Sequence, residues 1–342
     1  MKKDIFRLIK NAFLLALCIL LFLILIPRTY KAPQQQNRKS TQYWNLATGS
    51  RIGYTHIPAK GINIHTPVIF LQGGPGGCIS DRNIEILAQL ANDGYDVYLY
   101  DQIGSGHSNR LINVEEYTAG RHISDLEEII KEINSKKVIL IGQSWGAILA
   151  TLFIADNPDK VDKLILTGPG PLFPMHVELA NLKAPDSLHL RDPLFSNSEA
   201  NKKINNWRTK FVAFLAREFH IKVASDNEMD DFSTLLSNET NKSTVCDTSK
   251  VAEAKGGSGY YSQIMTMQSL SEVKDPRPKL INSKIPLLLM KGQCDNQRWG
   301  FATEYLELFP NHKLVIVNDA GHSIAAEQPD FYLRTIRDFL NR

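Results

Sequence analysis

Val138-Ile139-Leu140-Ile141-Gly142-Gln143-Ser144-Trp145-Gly146-Ala147 is the stretch on which the fold turns. Its first four residues are apolar and β-branched or leucine, the signature of a strand buried on both faces. Gly-x-Ser-x-Gly follows, and then residues 148–154, Ile-Leu-Ala-Thr-Leu-Phe-Ile, read as a buried helix. Strand, tight turn and helix in that order hold a serine in a strained conformation at the carboxyl end of a sheet. Gly142 and Gly146 stand where a Cβ would collide with the neighbouring strand or helix. A serine so placed needs a base, an acid and donors for an oxyanion elsewhere in the chain.

Outward from this stretch, strands and helices alternate. Residues 43–57 read as an edge hairpin around Gly49-Ser50, 68–71 as a strand, 84–90 as a helix and 96–100 as a strand. Residues 123–133 have helical spacing, and Ser124 or a neighbour is expected as its cap. Further strands are expected at 163–167, 286–290 and 313–317, with helices at 301–309 and 331–340. Such alternation implies a mainly parallel sheet with helices on both faces. The rhythm stops at Pro171, where about a hundred residues carry no strong strand. Trp207, Phe211, Phe214, Leu215 and Phe219 fall on one helical face there. The expected organisation is a core in two parts, residues 43–170 and 279–342, with a helical cap at 171–278.

The N-terminus differs from the body. Residues 12–26 are uninterruptedly apolar, and Lys2, Lys3, Arg7 and Lys10 precede them. Counted from Leu8 the run is near the ~20 residues of a membrane span, with Lys10 and Arg7 able to snorkel. No small-residue cleavage site follows, so residues 1–30 read as a single-pass anchor, with a cleaved signal as the alternative. The basic N-side places the catalytic body outside the cytoplasm. Residues 31–42 are polar and aperiodic, a linker between anchor and body. A net charge of +3, spread along the chain, gives no sign of a nucleic-acid partner. Beyond the membrane, the expected partner is a small-molecule or peptide substrate. Of the four cysteines, Cys18 lies in the apolar run. Cys78, Cys246 and Cys294 are expected as buried free thiols, one disulfide being open to an exported body. No spacing suggests a metal.

Sheet topology dictates where the partners of Ser144 belong: an acid and then a base, each in a loop after a later strand. Asp295 ends one such strand in Gly292-Gln293-Cys294-Asp295, and His322 follows the last in Asp319-Ala320-Gly321-His322. Asp319 is the rival acid, three residues before His322 and in the same loop. Two backbone N–H groups are expected to form the oxyanion hole. One belongs to Trp145. The other lies in Gln72-Gly73-Gly74-Pro75-Gly76-Gly77, where Pro75 has no N–H and Gly74 is the better donor.

The segments 72–77, 101–108 (Asp-Gln-Ile-Gly-Ser-Gly-His-Ser), 142–147, 168–170 (Gly-Pro-Gly), 292–295 and 320–323 together resemble α/β-hydrolases of the prolyl aminopeptidase, or proline iminopeptidase, type. The resemblance implies an α/β-hydrolase fold under a helical cap, with no metal or cofactor. It also implies acyl-enzyme removal of an N-terminal residue, often proline. Ser144 would be the nucleophile, Asp295 the acid, His322 the base, and Gly74 with Trp145 the oxyanion hole. Gln72 and Ile103 depart from the family's usual His and Arg. In the cap, Trp207 lacks the usual Trp-x-x-Trp-Glu context, leaving Glu178, Glu218 and Glu253 as candidates to hold a substrate ammonium. The alternative is an esterase or other acyl hydrolase on the same core.

Overall fold

Eight strands form one sheet in the order β1-β2-β4-β3-β5-β6-β7-β8. They are β1 (Gln42–Asn45), β2 (Arg51–Ile57), β3 (Val68–Leu71), β4 (Val97–Tyr100), β5 (Val138–Gln143), β6 (Val161–Thr167), β7 (Leu287–Gly292) and β8 (His312–Val317). β1 and β2 run antiparallel at one edge, and from β4 to β8 every pairing is parallel. This computed structural model describes residues 2–61 and 65–342. The helices are α1 (Lys2–Leu25), α2 (Asp81–Leu87), α3 (Ala119–Ile133), α4 (Trp145–Asp156), α5 (Asn197–Ile204), α6 (Trp207–Phe219), α7 (Asp226–Thr240), α8 (Tyr260–Ser269), α9 (Arg277–Leu280), α10 (Trp299–Leu308), α11 (Ile324–Glu327) and α12 (Pro329–Leu340).

Alternation along each strand divides the core between the two faces of the sheet. Ile69, Leu71, Leu140, Leu164, Leu166, Leu287 and Leu289 pack on one side with α3, α4 and parts of the cap. Val68, Phe70, Ile139, Ile141, Ile165, Leu288 and Met290 pack on the other with α2 and α12. From Trp145 to Ile154, α4 is buried at every residue, as a helix apolar all round must be, and its one polar side chain, Thr151, donates to Ala147 O (2.8 Å). Order reverses at β3: the chain goes outward to β4 and returns to β5 on the opposite side. Open α/β sheets bind ligands in the crevice at such a reversal, beyond the carboxyl ends of the strands.

Several expected boundaries move. α3 begins at Ala119, with the Thr118 hydroxyl accepting from Arg121 N, not near Ser124. The polar residues 226–231 and 237–240 belong to one helix, α7, whose face packs against α5 and α8. Between β6 and β7 lie α5 to α9. The expected linker is laid on the body. Arg38 donates to Ile79 O (2.8 Å), Gln34 to Asp231 Oδ1 (3.2 Å), and Gln35 Nε2 bonds the His107 ring (3.0 Å). Cys246 and Cys294 are joined in a disulfide, with Cα atoms 5.4 Å apart, which corrects the expectation of free thiols for that pair. Cys78 remains free, its thiol pushed up to about 12 by burial and by Asp101.

Candidate active site

Ser144 occupies φ 54°, ψ −116°, a region that non-glycine residues rarely enter and that costs on the order of 1–3 kcal/mol. Its surroundings impose it. A Cβ on Gly146 would lie 2.0 Å from the Leu71 carbonyl, and one on Gly142 would lie 2.6 Å from the Gly146 carbonyl. β5 and α4 therefore meet at a bend too tight for side chains, and the serine at its apex takes the strain. Ser144 N–H donates to Thr167 O (2.9 Å), which sets it against the end of β6.

After β3, the loop from Gly73 to Gly77 passes directly by the serine. A Cβ on Gly73 would stand 3.2 Å from Ser144 Cβ. Gly74 takes φ 132°, open to glycine, and precedes a cis peptide to Pro75. No hydrogen bond occupies Gly74 N–H or Trp145 N–H among the described residues. Gln102, fully buried, holds this loop: its Oε1 accepts from Gly76 N (2.9 Å), and its Nε2 donates to Gln72 O (2.7 Å) and Gly73 O (3.3 Å). Asp101 supports the same region by accepting from Ile79 N (2.8 Å) and His107 N (2.9 Å). The motif Asp-Gln-Ile-Gly-Ser-Gly-His thus scaffolds the loop after β3. The sequence displayed that motif without revealing what Gln102 holds, because its partners are backbone atoms some thirty positions away.

His322 and Asp295 come together. Imidazole Nδ1 lies 2.9 Å from Asp295 Oδ1, and both residues are buried. Asp295 Oδ1 also accepts from Gln297 N (3.0 Å), while Oδ2 faces Lys291 Nζ at 3.2 Å. Burial alone would push this carboxyl up. The Lys291 ammonium, then His322, hold it down at about 2. Lys291, itself buried, also donates to Gln297 O (2.8 Å). Sequence reading assigned Lys291 nothing, since a lysine ending a strand is ordinarily solvated. The rival Asp319 is largely exposed and pairs with Arg191 (3.0 Å).

Ser144 and the imidazole flank one dipeptide. Thr167 O receives the Ser144 N–H, and a Cβ on the next residue, Gly168, would lie 2.5 Å from His322 Nδ1. No hydrogen bond joins Ser144 Oγ to His322 among the described residues. The histidine loop is clamped from outside. Buried Glu327 accepts from Gly321 N (2.6 Å) through Oε2, and from Cys246 N (2.9 Å) and Asp247 N (3.0 Å) through Oε1. Ser323 N donates to Thr244 O (2.9 Å). With the Cys246–Cys294 bridge, the segment 244–247 grips both the Asp295 loop and the His322 loop.

A cavity of about 680 Å³ opens beside Asp295, between residues 190–197 and residues 295–299; Ser144 does not line it. The cap glutamates expected as ammonium ligands, Glu178, Glu218 and Glu253, are all exposed. Two buried cap carboxylates are already paired: Asp230 with Arg110 (2.8 Å) and Glu228 with Arg208 (2.6 Å).

Residues 66–329 match the α/β hydrolase fold family. The chain is 26% identical over 298 residues to a proline iminopeptidase of Heyndrickxia coagulans, covering 86% of this chain and 96% of that protein. It is 25% identical over 303 residues to a putative 2-succinyl-6-hydroxy-2,4-cyclohexadiene-1-carboxylate synthase of Bacillus subtilis, covering 86% and 97%. Among solved structures, an esterase from Exiguobacterium antarcticum superposes with a TM-score of 0.58 at 20% identity, over 88% of this chain and 99% of that one.

Proposed function

The chain belongs to the α/β hydrolase fold family, and we propose that it is a serine hydrolase working through Ser144, His322 and Asp295. The observation that carries this reading is the buried His322–Asp295 hydrogen bond, set beside Gly168 at the sheet edge where Ser144 is held. Ser144 Oγ attacks the substrate carbonyl and its proton passes to His322 Nε2. Asp295 holds the other nitrogen as donor and stabilises the imidazolium that forms. At about 2, Asp295 stays a carboxylate wherever the imidazole is neutral. Negative charge on the carbonyl oxygen falls to the N–H groups of Gly74 and Trp145; each such donor is worth about 3 kcal/mol in the transition state. His322 then protonates the leaving group, the acyl-enzyme forms, and water reverses the sequence to release the acid.

For substrate, we infer an amide at a free N-terminal residue of the proline type. The full-length similarity to a proline iminopeptidase supports it. A second reading, an esterase, is favoured by the cap carboxylates: the glutamates available there are exposed or already paired with arginine or lysine. The test is kcat/KM of the full chain on proline β-naphthylamide and on its N-acetylated form, with a short-chain nitrophenyl ester as control. Preference for the free amine supports the aminopeptidase. Ester turnover with neither amide cleaved would replace it with the second reading.

For location, the proposal is that α1 spans a membrane and leaves the body on the extracytoplasmic side. Ile5–Leu25 is long and apolar enough to cross, and almost entirely exposed in the folded chain. The Cys246–Cys294 disulfide suits an oxidising compartment.

A further inference from the structure

The aromatic face of α6 points away from the protein. An amphipathic helix ordinarily turns its apolar stripe to the core. Here Val212 and Ala216 are fully buried, whereas Trp207, Phe214 and Phe219 are 48%, 49% and 58% exposed. Phe214 joins its ring neighbours into one cluster, with centroids 6.3 Å from Phe211 and 5.7 Å from Phe219. Ile221, just past the helix, is exposed as well. The loop carrying fully exposed Ile112 is tied to that end by Lys222 Nζ on Leu111 O (2.6 Å) and by His220 facing Glu115 (3.1 Å). On the same helix, exposed Lys210 and Arg217 flank the face, and exposed Glu218 lies one turn after Phe214. A connected apolar surface with a charged rim marks an interaction site.

What covers it is indicated by α1, which ends on the same helix. Arg208 Nη1 donates to the Ile24 carbonyl, one of the carbonyls that the end of α1 leaves without a helical partner. The Arg28 guanidinium lies 5.5 Å from the centre of the Trp207 ring, and Tyr30 packs on Phe232 of α7 at 5.4 Å. The apolar part of α1, 21 residues, measures about 31 Å at ~1.5 Å per residue, the thickness of a bilayer's hydrocarbon core. A bilayer crossed by that helix has its surface at residues 25–28, the level at which Trp207 sits. Tryptophan and arginine are residues of that boundary, and Arg28, Lys210 and Arg217 suit anionic headgroups.

We propose that α6 docks on the bilayer that α1 crosses, with Trp207, Phe211, Phe214 and Phe219 seated among headgroups and upper acyl chains. The inference rests on reading α1 as a span. Full-length protein is reconstituted in phosphatidylcholine–phosphatidylglycerol vesicles with plain or brominated acyl chains, and tryptophan emission is compared. Of the four tryptophans, Trp44 and Trp145 are buried and Trp299 is half-buried. The expected result is bromine quenching in the wild type that is lost in Trp207→Phe. It should fall by about half or more in Phe214→Ser/Phe219→Ser, which should retain wild-type turnover of a soluble nitrophenyl ester. Co-flotation with vesicles but no Trp207-dependent quenching overturns the docking and leaves the span standing. Failure to co-float after alkaline extraction overturns both.

Discussion

Lys291→Met would test whether the lysine behind the acid sets the basicity of the catalytic pair. Methionine keeps most of the buried stem and removes the ammonium, which lies 3.2 Å from Asp295 Oδ2 and donates to Gln297 O at 2.8 Å. Two effects follow, with different readouts. Taking one partner from a buried ion pair costs roughly 3–5 kcal/mol. Asp295 keeps the His322 and Gln297 N–H donors, so the low end, about 3 kcal/mol, is expected by denaturant unfolding. The second effect is on the acid itself. Lys291 is the first of the groups that hold Asp295 down at about 2 against burial; without it, burial is opposed by His322 and the Gln297 N–H, and the carboxyl rises. The pair then keeps its carboxylate only above that raised value, so the acid limb of kcat/KM should move to higher pH. The pH–kcat/KM profile on a nitrophenyl ester is the assay, with Lys291→Arg as the variant that restores charge. A Met profile superimposed on the wild type would refute the electrostatic reasoning, even if the protein lost stability.

Ser144→Ala should lower kcat by about 10⁴-fold or more. Ser144→Gly should be as inactive yet melt higher, because glycine accepts φ 54° without the strain of about 1 kcal/mol or more. Replacing both Cys246 and Cys294 by serine opens a 48-residue separation and should cost about 4 kcal/mol by the chain-entropy estimate, read by denaturant unfolding. His122 is pushed down to about 3 by burial and by Arg121, so the unfolded chain takes up a proton below about 6.5 that the fold refuses. Its contribution is whole above that pH and lost on acidification towards 3, by up to about 1.4 kcal/mol per pH unit. Asp230, pushed up to about 6 by burial, acts in the opposite direction below its own value. His122→Asn should therefore flatten the acid side of stability against pH relative to wild type, and identical slopes would contradict a buried neutral imidazole.

What could be read in the sequence was local and periodic. The strand and elbow at 138–147 showed themselves because buried strands are continuously apolar and a bend between two packed elements admits only glycine beside its apex. Asp295 and His322 showed themselves because strand order assigns them their loops, and the bond between them is observed. Gln102 and Glu327 did not, since each is a polar residue held by backbone partners distant in the chain, and Lys291 did not, because its burial beside Asp295 and the Gln297 carbonyl depends on how the loop after β7 folds back. The cysteine pairing was hidden for the same reason: Cys246 and Cys294 are 48 residues apart, in different layers. On α6, periodicity identified the apolar face, but not that Trp207, Phe214 and Phe219 on it lie exposed. The pattern records which residues avoid water, not whether protein or lipid replaces it.

Fastening of the cap limits how the site can open. At Thr244 to Asp247 the cap is joined to the Asp295 and His322 loops by the disulfide, by Glu327 and by the Ser323–Thr244 contact. Movement there would break a covalent bond and unclamp the His322 loop. At the other margin, residues 190–197 border the cavity beside Asp295 and are held to it by noncovalent contacts, chiefly Arg191 N on Gln293 O (2.8 Å) and Arg191 with exposed Asp319 (3.0 Å). An exposed ion pair contributes at most about 1 kcal/mol. The cap should therefore yield first at residues 190–197, with the clamped segment as its fixed edge. Arg191→Ala should accordingly raise KM, because the loosened margin no longer fixes the cavity wall, with little change in the Lys291-dependent acid limb, whereas a shifted limb would mean that the two margins are mechanically one.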